Sequence, residues 1–323
     1  MNNVLAIVVT YNRLPMLKEV VSALLGQTAP CDILIVDNAS TDDTAAWVKD
    51  FISAHEASRS KLLYENTGAN LGGAGGFNYG MRRGVELGYD YVWIMDDDAI
   101  AQADALAELL KGDSRLGGPA NYGFLSSIVY WTDGSLCTMN TQRTPSHYLR
   151  EEEVVPAKEA FANNSGTEGL IPIETATFVS LLIPASTILK VGLPIREFFI
   201  WSDDIEYTVR TTIQNKLPAY IVPTSSIIHK TKNNAGSDIV MDDAERIDRY
   251  RYAVRNGGYA YKKYGFRHYC AYLFGLTKSW FLIWFKSKDH KLQRSRVLCS
   301  SFFKGLTFNP PIEFVDINKI EKK

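Results

Sequence analysis

The sequence predicts an α/β fold built on a mostly parallel sheet with helices on both faces, extended by a helical C-terminal region rich in basic and aromatic residues. Three observations predict it. The first hundred residues repeat a short β-branched run, a polar break and a segment with apolar residues at helical spacing, which is a βαβ pattern. The strand runs are apolar almost throughout, as strands covered on both faces are. The 323 residues are 46% hydrophobic and 22% charged, an ordinary globular balance that supplies a sizeable core and excludes a disordered or collagen-like chain.

Leu5 to Thr10 reads as the first strand and Leu14 to Leu25 as the first helix, with Pro15 in the opening turn, where a missing N–H is tolerated. Ile33 to Val36 is the second strand. The cap-type run Asn38-Ala39-Ser40-Thr41-Asp42-Asp43 then leads into a helix through Trp47 to Ile52. Lys61 to Tyr64 is a third strand, Asn66 to Gly76 a glycine-rich loop, Phe77 to Leu87 a helix, and Tyr91 to Met95 a fourth strand that ends in Asp96-Asp97-Asp98. Periodicity weakens after Gly118, and the polar stretch Thr141 to Pro172 reads as an insertion or long loop. Apolar runs return at Ala176 to Ile183 and Ala219 to Ile228, on either side of a helix that starts near Asp203. Lys230 to Asp238 is rich in breakers and precedes a helical pattern from Ala244 to Tyr264. The expected division is an α/β unit over 1–240, split near 118, and a helical region over 241–323.

A net charge of −1 argues against a nucleic-acid partner, whose binders are usually basic overall. Cys31, Cys137, Cys270 and Cys299 are widely spaced with no CxxC pair, which predicts reduced thiols in the cytoplasm rather than a zinc knuckle or disulfide framework. The start, MNNVLAIVVTYN, has neither the basic region nor the apolar length of a signal peptide. Tyr269 to Phe285 approaches a membrane span but contains Lys278 and is too short to cross. Between Tyr261 and Lys304, ten Lys or Arg residues face one acid, Asp289, among aromatics that include Trp280 and Trp284. Two readings stand: an amphipathic surface on anionic lipid headgroups, or core helices with a basic outer face. An exposed aromatic face would also suit a homo-oligomer interface.

The unusual residues gather at strand ends, where open α/β sheets bind ligands. Three adjacent carboxylates, Asp96 to Asp98, repel one another unless a cation or donors compensate, and a hard divalent ion shared with phosphate oxygens fits as well as a solvated turn does. Asn70-Leu71-Gly72-Gly73-Ala74-Gly75-Gly76 brings backbone N–H groups to the start of a helix, where anions are attracted, with a plain flexible loop as the alternative. It matches neither GxGxxG nor the P-loop, which argues against a dinucleotide dehydrogenase and a P-loop NTPase. Trp201 beside Asp203 and Asp204 suits a sugar, whose C–H face packs on an indole while its hydroxyls seek acceptors; Asp203 as a helix cap is the alternative. One of these carboxylates is a candidate general base. His229, at the end of an apolar strand, is either a structural histidine or a further metal ligand.

Taken in order, TYNR (Thr10 to Arg13), VDNASTD (Val36 to Asp42), NLGGAGGFNYG (Asn70 to Gly80), WIMDDDA (Trp93 to Ala99), FFIWSDDIEY (Phe198 to Tyr207) and His229 resemble family 2 glycosyltransferases of the GT-A fold, over about residues 1 to 265. Within that family the sequence is most similar to bacterial galactofuranosyltransferases, with rhamnosyltransferases as near relatives, and RYRYAVRN (Arg249 to Asn256) is similar to a segment found in both. The resemblance implies that Thr10, Asn12 and Asp37 hold the base and ribose of a nucleotide, and that Asn70, Gly73, Gly75, Gly76 and Asp97 line the nucleotide-sugar site. It implies that Asp96, Asp98 and His229 bind Mn²⁺ or Mg²⁺, that Asp204 is the catalytic base, and that Trp201 and Asp203 position the acceptor. Residues 1–118 would then be the nucleotide-sugar half and 119–240 the acceptor half.

The implied activity is inverting, metal-dependent transfer of a sugar, foremost galactofuranose from UDP-galactofuranose, to a lipid-linked or growing surface polysaccharide at the inner face of the membrane. Rhamnosyl transfer from dTDP-rhamnose, and a non-catalytic nucleotide-sugar-binding or scaffold protein, are the alternatives. The processive galactan polymerases of the group carry extra domains for which this chain has no room, so transfer of one or a few residues is expected.

Overall fold

The structure, a computed structural model, describes residues 3–55 and 58–320. Residues 1, 2, 56, 57 and 321–323, included in the expected ranges 1–240 and 241–323, lie outside the described residues. The first half runs β1 (Val4–Thr10), α1 (Leu14–Leu25), β2 (Asp32–Asp37), α2 (Thr44–Ala54), β3 (Leu62–Asn66), α3 (Gly72–Glu86), β4 (Tyr91–Asp96), β5 (Ala99–Ala101) and α4 (Ala105–Arg115). Then follow β6 (Phe124–Trp131), α5 (Glu151–Asn163), β7 (Ile171–Ile173), β8 (Leu181–Pro184), α6 (Ala185–Val191), α7 (Asp203–Val209) and β9 (Ala219–His229). Three helices close the chain, α8 (Tyr250–Tyr264), α9 (Phe266–Lys286) and α10 (Lys291–Thr307).

All the strands join one sheet in the order β3-β2-β1-β4-β8-β6-β9-β5, with β7 also on β9. The β3-β2-β1-β4 half is parallel, whereas β8 runs antiparallel to both β4 and β6. Register aligns the carboxyl ends: Thr10 lies opposite Asp37, Asp37 opposite Asn66, and Val9 opposite Asp96. Both faces are covered. Val4, Ala6 and Val8 of β1 pack into one core cluster, and Leu5, Ile7 and Val9 into the other. This alternation, apolar on both sides, is why the strand runs carry no polar period.

Two expectations are corrected. The glycine-rich segment is not a loop up to Gly76, because α3 begins at Gly72. Its glycines at four-residue spacing face the sheet: a Cβ at Gly76 would meet Val9 Cγ1 at 2.4 Å, at Gly80 Ile7 Cγ2 at 2.5 Å, and at Gly84 Val92 Cγ1 at 2.4 Å. The stripe lets the α3 backbone lie directly on β1 and β4, a packing demand that propensity alone reads as a break. The stretch from Thr141 to Pro172 is likewise no bare loop, since it contains α5. Glu153 accepts from Arg150 N–H at 2.8 Å, and Glu151 to Glu153 favour the helix N-terminus. Phe161 is fully buried against the main core, which outweighs Pro156 inside the helix.

The C-terminal helices are tied to the α/β unit. Asn256 of α8 is fully buried against the turn before α7. Beyond α10 the chain returns to α3: Glu313 pairs with Arg82 at 2.6 Å, and Val315 enters the core. Of the ten basic residues expected on this region's surface, Arg294 instead points inward, bonding the carbonyl groups of Ile239 and Asp242. No described helix is long and apolar enough to cross a membrane.

Candidate active site

Asp96 ends β4, and the turn through Asp97 and Asp98 leads into β5. Pairing of β5 with β9 sets Ala99 opposite His229, and Lys230 N–H donates to the Asp98 carbonyl at 2.9 Å. A histidine 131 residues away is thereby brought to the triplet, with His229 Nε2 at 2.9 Å from Asp98 Oδ1. Ligand atoms of Asp96, Asp98 and His229 all lie within 4.8 Å of one another. The middle acid turns elsewhere: Asp97 accepts from Thr10 Oγ1 at 2.8 Å and from Arg13 Nη1 at 2.8 Å, while Arg13 Nη2 reaches Asp98 Oδ2 at 2.7 Å.

Electrostatics report an acidic pocket short of positive charge. Burial, with Asp98 and Asp97 beside it, pushes the Asp96 carboxyl up to about 7 against the pull of His229 and Arg13. Burial likewise lifts Asp97 to about 6, against Arg13 and the Thr10 hydroxyl. Asp98 is buried too, yet its hydrogen bond and charge pairing with His229, and then Arg13, bring it down to about 2. Burial disfavours the imidazolium of His229, but the bond to Asp98 dominates and raises it to about 10. Asn140 fixes the ring. Its amide nitrogen donates to Thr177 Oγ1 at 3.0 Å, so its Oδ1, at 2.7 Å from His229 Nδ1, is the acceptor and leaves Nε2 toward the carboxylates. Two carboxylates and an oriented imidazole are a donor set that fits Mn²⁺ or Mg²⁺.

A cleft of about 330 Å³ beside this cluster is lined by Thr10, Arg13, Asn70, Gly73, Asp96 and Asp97, among others. Asn12, Asp37, Gly75 and Gly76 do not line it. Buried Asp37 accepts from Tyr64 Oη at 2.6 Å and Ser40 N–H at 2.8 Å, and Asn12 Oδ1 accepts from Thr41 N–H at 2.6 Å. Both therefore brace the loops after β1 and β2 at the same sheet edge. Gly76 faces Val9 within α3, and a Cβ on Gly75 would meet Leu71 Cβ at 2.5 Å.

A second cleft of about 810 Å³ contains Asp96, Trp201, Asp203 and Asp204, and shares Gly73, Asp96 and Ile200 with the first. Its acidic wall follows a strained turn: Phe199, Trp201 and Ser202 have φ of 64°, 67° and 65°, a region that costs side chains about 1–3 kcal/mol each. Two devices hold it. The Asn256 amide nitrogen lies 2.8, 3.0 and 3.0 Å from the carbonyls of Phe198, Ile200 and Trp201. Gly72, at φ 69°, lets the Phe199 carbonyl come within 2.0 Å of where a Cβ would stand. Asp203 and Asp204 then open α7, with Ser202 rather than Asp203 in the cap position. Burial raises Asp203 well above the carboxylate range, helped by the charge of Asp204. Burial takes Asp204 only to about 6, because Ile205 N–H donates to its Oδ1 at 2.7 Å. Trp201 packs on Tyr250 at 5.1 Å between ring centres.

Residues 5–117 match the family described as Glycosyl transferase family 2. The chain is a glycosyltransferase with a family 2 domain. It is 27% identical over 292 residues to the galactofuranosyltransferase GlfT1 of Mycobacterium tuberculosis, covering 87% of this chain and 89% of that one. Over a shorter stretch it is 37% identical to an undecaprenyl-phosphate mannosyltransferase of Micrococcus luteus, covering 33% of this chain and 43% of the relative. Among solved structures it resembles the mannosyltransferase PcManGT of Pyrobaculum calidifontis, in complex with GDP-Man and Mn²⁺, with a TM-score of 0.57 at 16% identity over 94% of this chain and 87% of that one. It also resembles S. aureus TarS 1–349 in complex with UDP, with a TM-score of 0.52 at 12% identity over 95% and 72%. The expected GT-A fold is thus the fold of this glycosyltransferase.

Three positions received no role from the sequence. Arg13 lies in the quoted TYNR and Asn256 in RYRYAVRN, so both were within recognisable segments. Asn140 stands in a stretch without periodicity, and nothing in its neighbourhood signals a contact with His229.

Proposed function

We propose that this glycosyltransferase moves galactofuranose from UDP-galactofuranose to a hydroxyl of a lipid-linked or growing surface polysaccharide, inverting the anomeric carbon with the help of a divalent cation. The observation that carries this reading is the meeting of two clefts at Asp96, one beside the Asp96–Asp98–His229 cluster and the other walled by Asp203 and Asp204. Such an arrangement suits a nucleotide sugar on one side and an acceptor on the other. Similarity to GlfT1 across most of both chains favours galactofuranose, and the UDP held by TarS and the GDP-Man held by PcManGT favour a nucleotide-sugar donor.

Asp96, Asp98 and His229 would hold the cation, which when bound supplies positive charge for the leaving diphosphate. Arg13 and Thr10 keep Asp97 turned away from it. Asp204, ionised above about pH 6, accepts the proton of the acceptor hydroxyl. The acceptor oxygen bonds to C1 of the donor sugar as the C1–O bond to UDP breaks, and the electron pair leaves with UDP. A single displacement of this kind inverts C1. Asp203, raised well above the ordinary carboxylate range by burial, offers the acceptor a hydrogen bond, and Trp201 offers a flat face to its sugar ring.

The same reading sets α9 and α10 on an anionic leaflet, since Phe274, Phe281, Phe285 and Phe303 are exposed among Lys278, Lys286 and Lys304. The test of the activity is UDP release from UDP-galactofuranose with a galactose-terminated lipid acceptor analogue, with and without Mn²⁺, beside dTDP-rhamnose. Metal-dependent, acceptor-stimulated turnover of the first donor supports the proposal. Turnover of dTDP-rhamnose alone refutes the donor, and turnover unaffected by chelation refutes the cation.

A further inference from the structure

The acidic turn after β4 is held from the junction of β1 and α1. Of the four side-chain oxygens on Asp97 and Asp98, three are engaged from there: Thr10 Oγ1 donates to Asp97 Oδ2 at 2.8 Å, Arg13 Nη1 to Asp97 Oδ1 at 2.8 Å, and Arg13 Nη2 to Asp98 Oδ2 at 2.7 Å. The fourth, Asp98 Oδ1, faces His229 Nε2 at 2.9 Å. Arg13 is rooted at the first turn of α1, where its carbonyl accepts from the N–H groups of Met16 and Leu17 at 3.0 and 3.1 Å. Its guanidinium thus bridges two neighbouring carboxylates, a span that needs two N–H donors in one rigid plane.

The bridge limits the oxygens left for a cation. Asp97 is withdrawn entirely, and Asp98 offers one oxygen, because turning Oδ2 toward a second cation would break its bond to Arg13. Asp96, Asp98 and His229 then form a compact set, with ligand atoms within 4.8 Å of one another. A small ion such as Mg²⁺ or Mn²⁺ takes octahedral geometry and accepts a carboxylate through a single oxygen. Ca²⁺ takes six to eight oxygens at longer distances and gains from carboxylates that chelate through both.

We infer that Arg13 is a metal-specificity residue: by holding Asp98 to one oxygen and Asp97 out of reach, it makes the site select a small octahedral ion over Ca²⁺. The inference rests on the cation reading above and deepens it, because it assigns the choice of ion to a side chain that ligates none.

Binding of the bare ions to the full-length protein tests this without turnover. Mn²⁺ is titrated by electron paramagnetic resonance, with Ca²⁺ and Mg²⁺ as competitors, for wild type, Arg13→Gln and Arg13→Lys. Removing a positive charge strengthens the binding of every divalent ion alike, so the ratio of affinities reads the geometry. Wild type should bind Mn²⁺ at least about tenfold tighter than Ca²⁺, and that ratio should fall about tenfold in both variants, within the range that groups supporting a ligand command. Mn²⁺ against Mg²⁺ should stay within about threefold, since both ions are octahedral. Arg13→Lys keeps the charge but cannot bridge two carboxylates in a plane, so a wild-type ratio in that variant assigns the effect to charge and overturns the inference. An unchanged ratio in Arg13→Gln, equal shifts against Ca²⁺ and Mg²⁺, or Ca²⁺ bound by wild type as tightly as Mn²⁺ overturns it too. Loss of all Mn²⁺ binding in both variants makes Arg13 a support of the whole site and likewise overturns it. The Arg13 side chain is 44% exposed, and the lysine variant keeps its aliphatic stem, so that variant decides the matter if Arg13→Gln lowers the thermal midpoint. No Mn²⁺ binding by wild type, with or without UDP, fails the cation reading itself, whereas wild-type affinities and ratios in both variants fail Arg13 alone.

Discussion

Replacing each of the adjacent aspartates by asparagine separates the two roles assigned to them. Asp203 and Asp204 are neighbours on one helical turn, yet their environments divide the charge. Asp203 is pushed well above the carboxylate range by burial and then by Asp204, while Asp204, whose Oδ1 takes the Ile205 N–H at 2.7 Å, ionises at about 6. At pH 8 Asp204 is therefore almost wholly a carboxylate, while Asp203 is held further toward its acid form. Asp204→Asn keeps the acceptor for Ile205 N–H but removes the base, a loss of about 10² to 10⁴ in kcat, or about 3–5 kcal/mol. Asp203→Asn keeps a neutral donor at a position where burial favours the acid form, with an expected loss of about tenfold or less, in the range of one hydrogen bond. The assay is steady-state UDP release at saturating donor, with UDP affinity measured separately. That affinity should stay within about twofold in Asp204→Asn, because Asp204 lines only the acceptor cleft. In the wild type, kcat/KM should climb with pH through about 6, since the active form is the deprotonated Asp204, and the Asp203→Asn profile should keep that limb. Equal losses in the two variants, or a larger loss in Asp203→Asn, would refute the division of roles.

Other consequences follow from the supports around the site. Asn140→Ala removes the acceptor that orients His229, so Mn²⁺ affinity by electron paramagnetic resonance titration should fall about 10- to 100-fold, while Asn140→Asp should retain most of it. Gly72→Ala would put a Cβ 2.0 Å from the Phe199 carbonyl in a left-handed backbone, which should cost about 1–3 kcal/mol in denaturant unfolding and lower kcat by displacing the turn that carries Asp203 and Asp204. Asn256→Ala strips the same turn of its buried donor; a loss of kcat with KM for the donor nearly unchanged is expected, and a shift in donor KM alone would contradict that role.

The sequence by itself determined the alternation of strands and helices in the first hundred residues, because strands buried on both faces must be apolar throughout and the helices between them must show one apolar stripe. It also placed Thr10, Asp37 and Asp96 at one edge, since parallel strands carry their carboxyl ends to the same side. The glycines of α3 were misread from sequence because a close-packing stripe and a flexible loop have the same composition, and only the distances to Val9, Ile7 and Val92 tell them apart. Helix α5 was hidden by Pro156 and flanking breakers, and forms because Phe161 reaches the core.

What the tertiary structure alone decided was which distant residues meet. His229 reaches Asp98 through the antiparallel pairing of β5 and β9, Asn140 reaches His229 from an aperiodic segment, and Asn256 reaches across from α8 to hold the turn before Asp203. The charge states were decided there as well. Asp203 and Asp204 are the same residue type one position apart, yet burial and the charge of its neighbour raise Asp203 well above the carboxylate range, while backbone donors led by Ile205 N–H hold Asp204 at about 6. Local propensity acts between near neighbours and is written in composition and period; contacts across about a hundred residues, and the dielectric around a carboxylate, exist only once the chain has closed on itself.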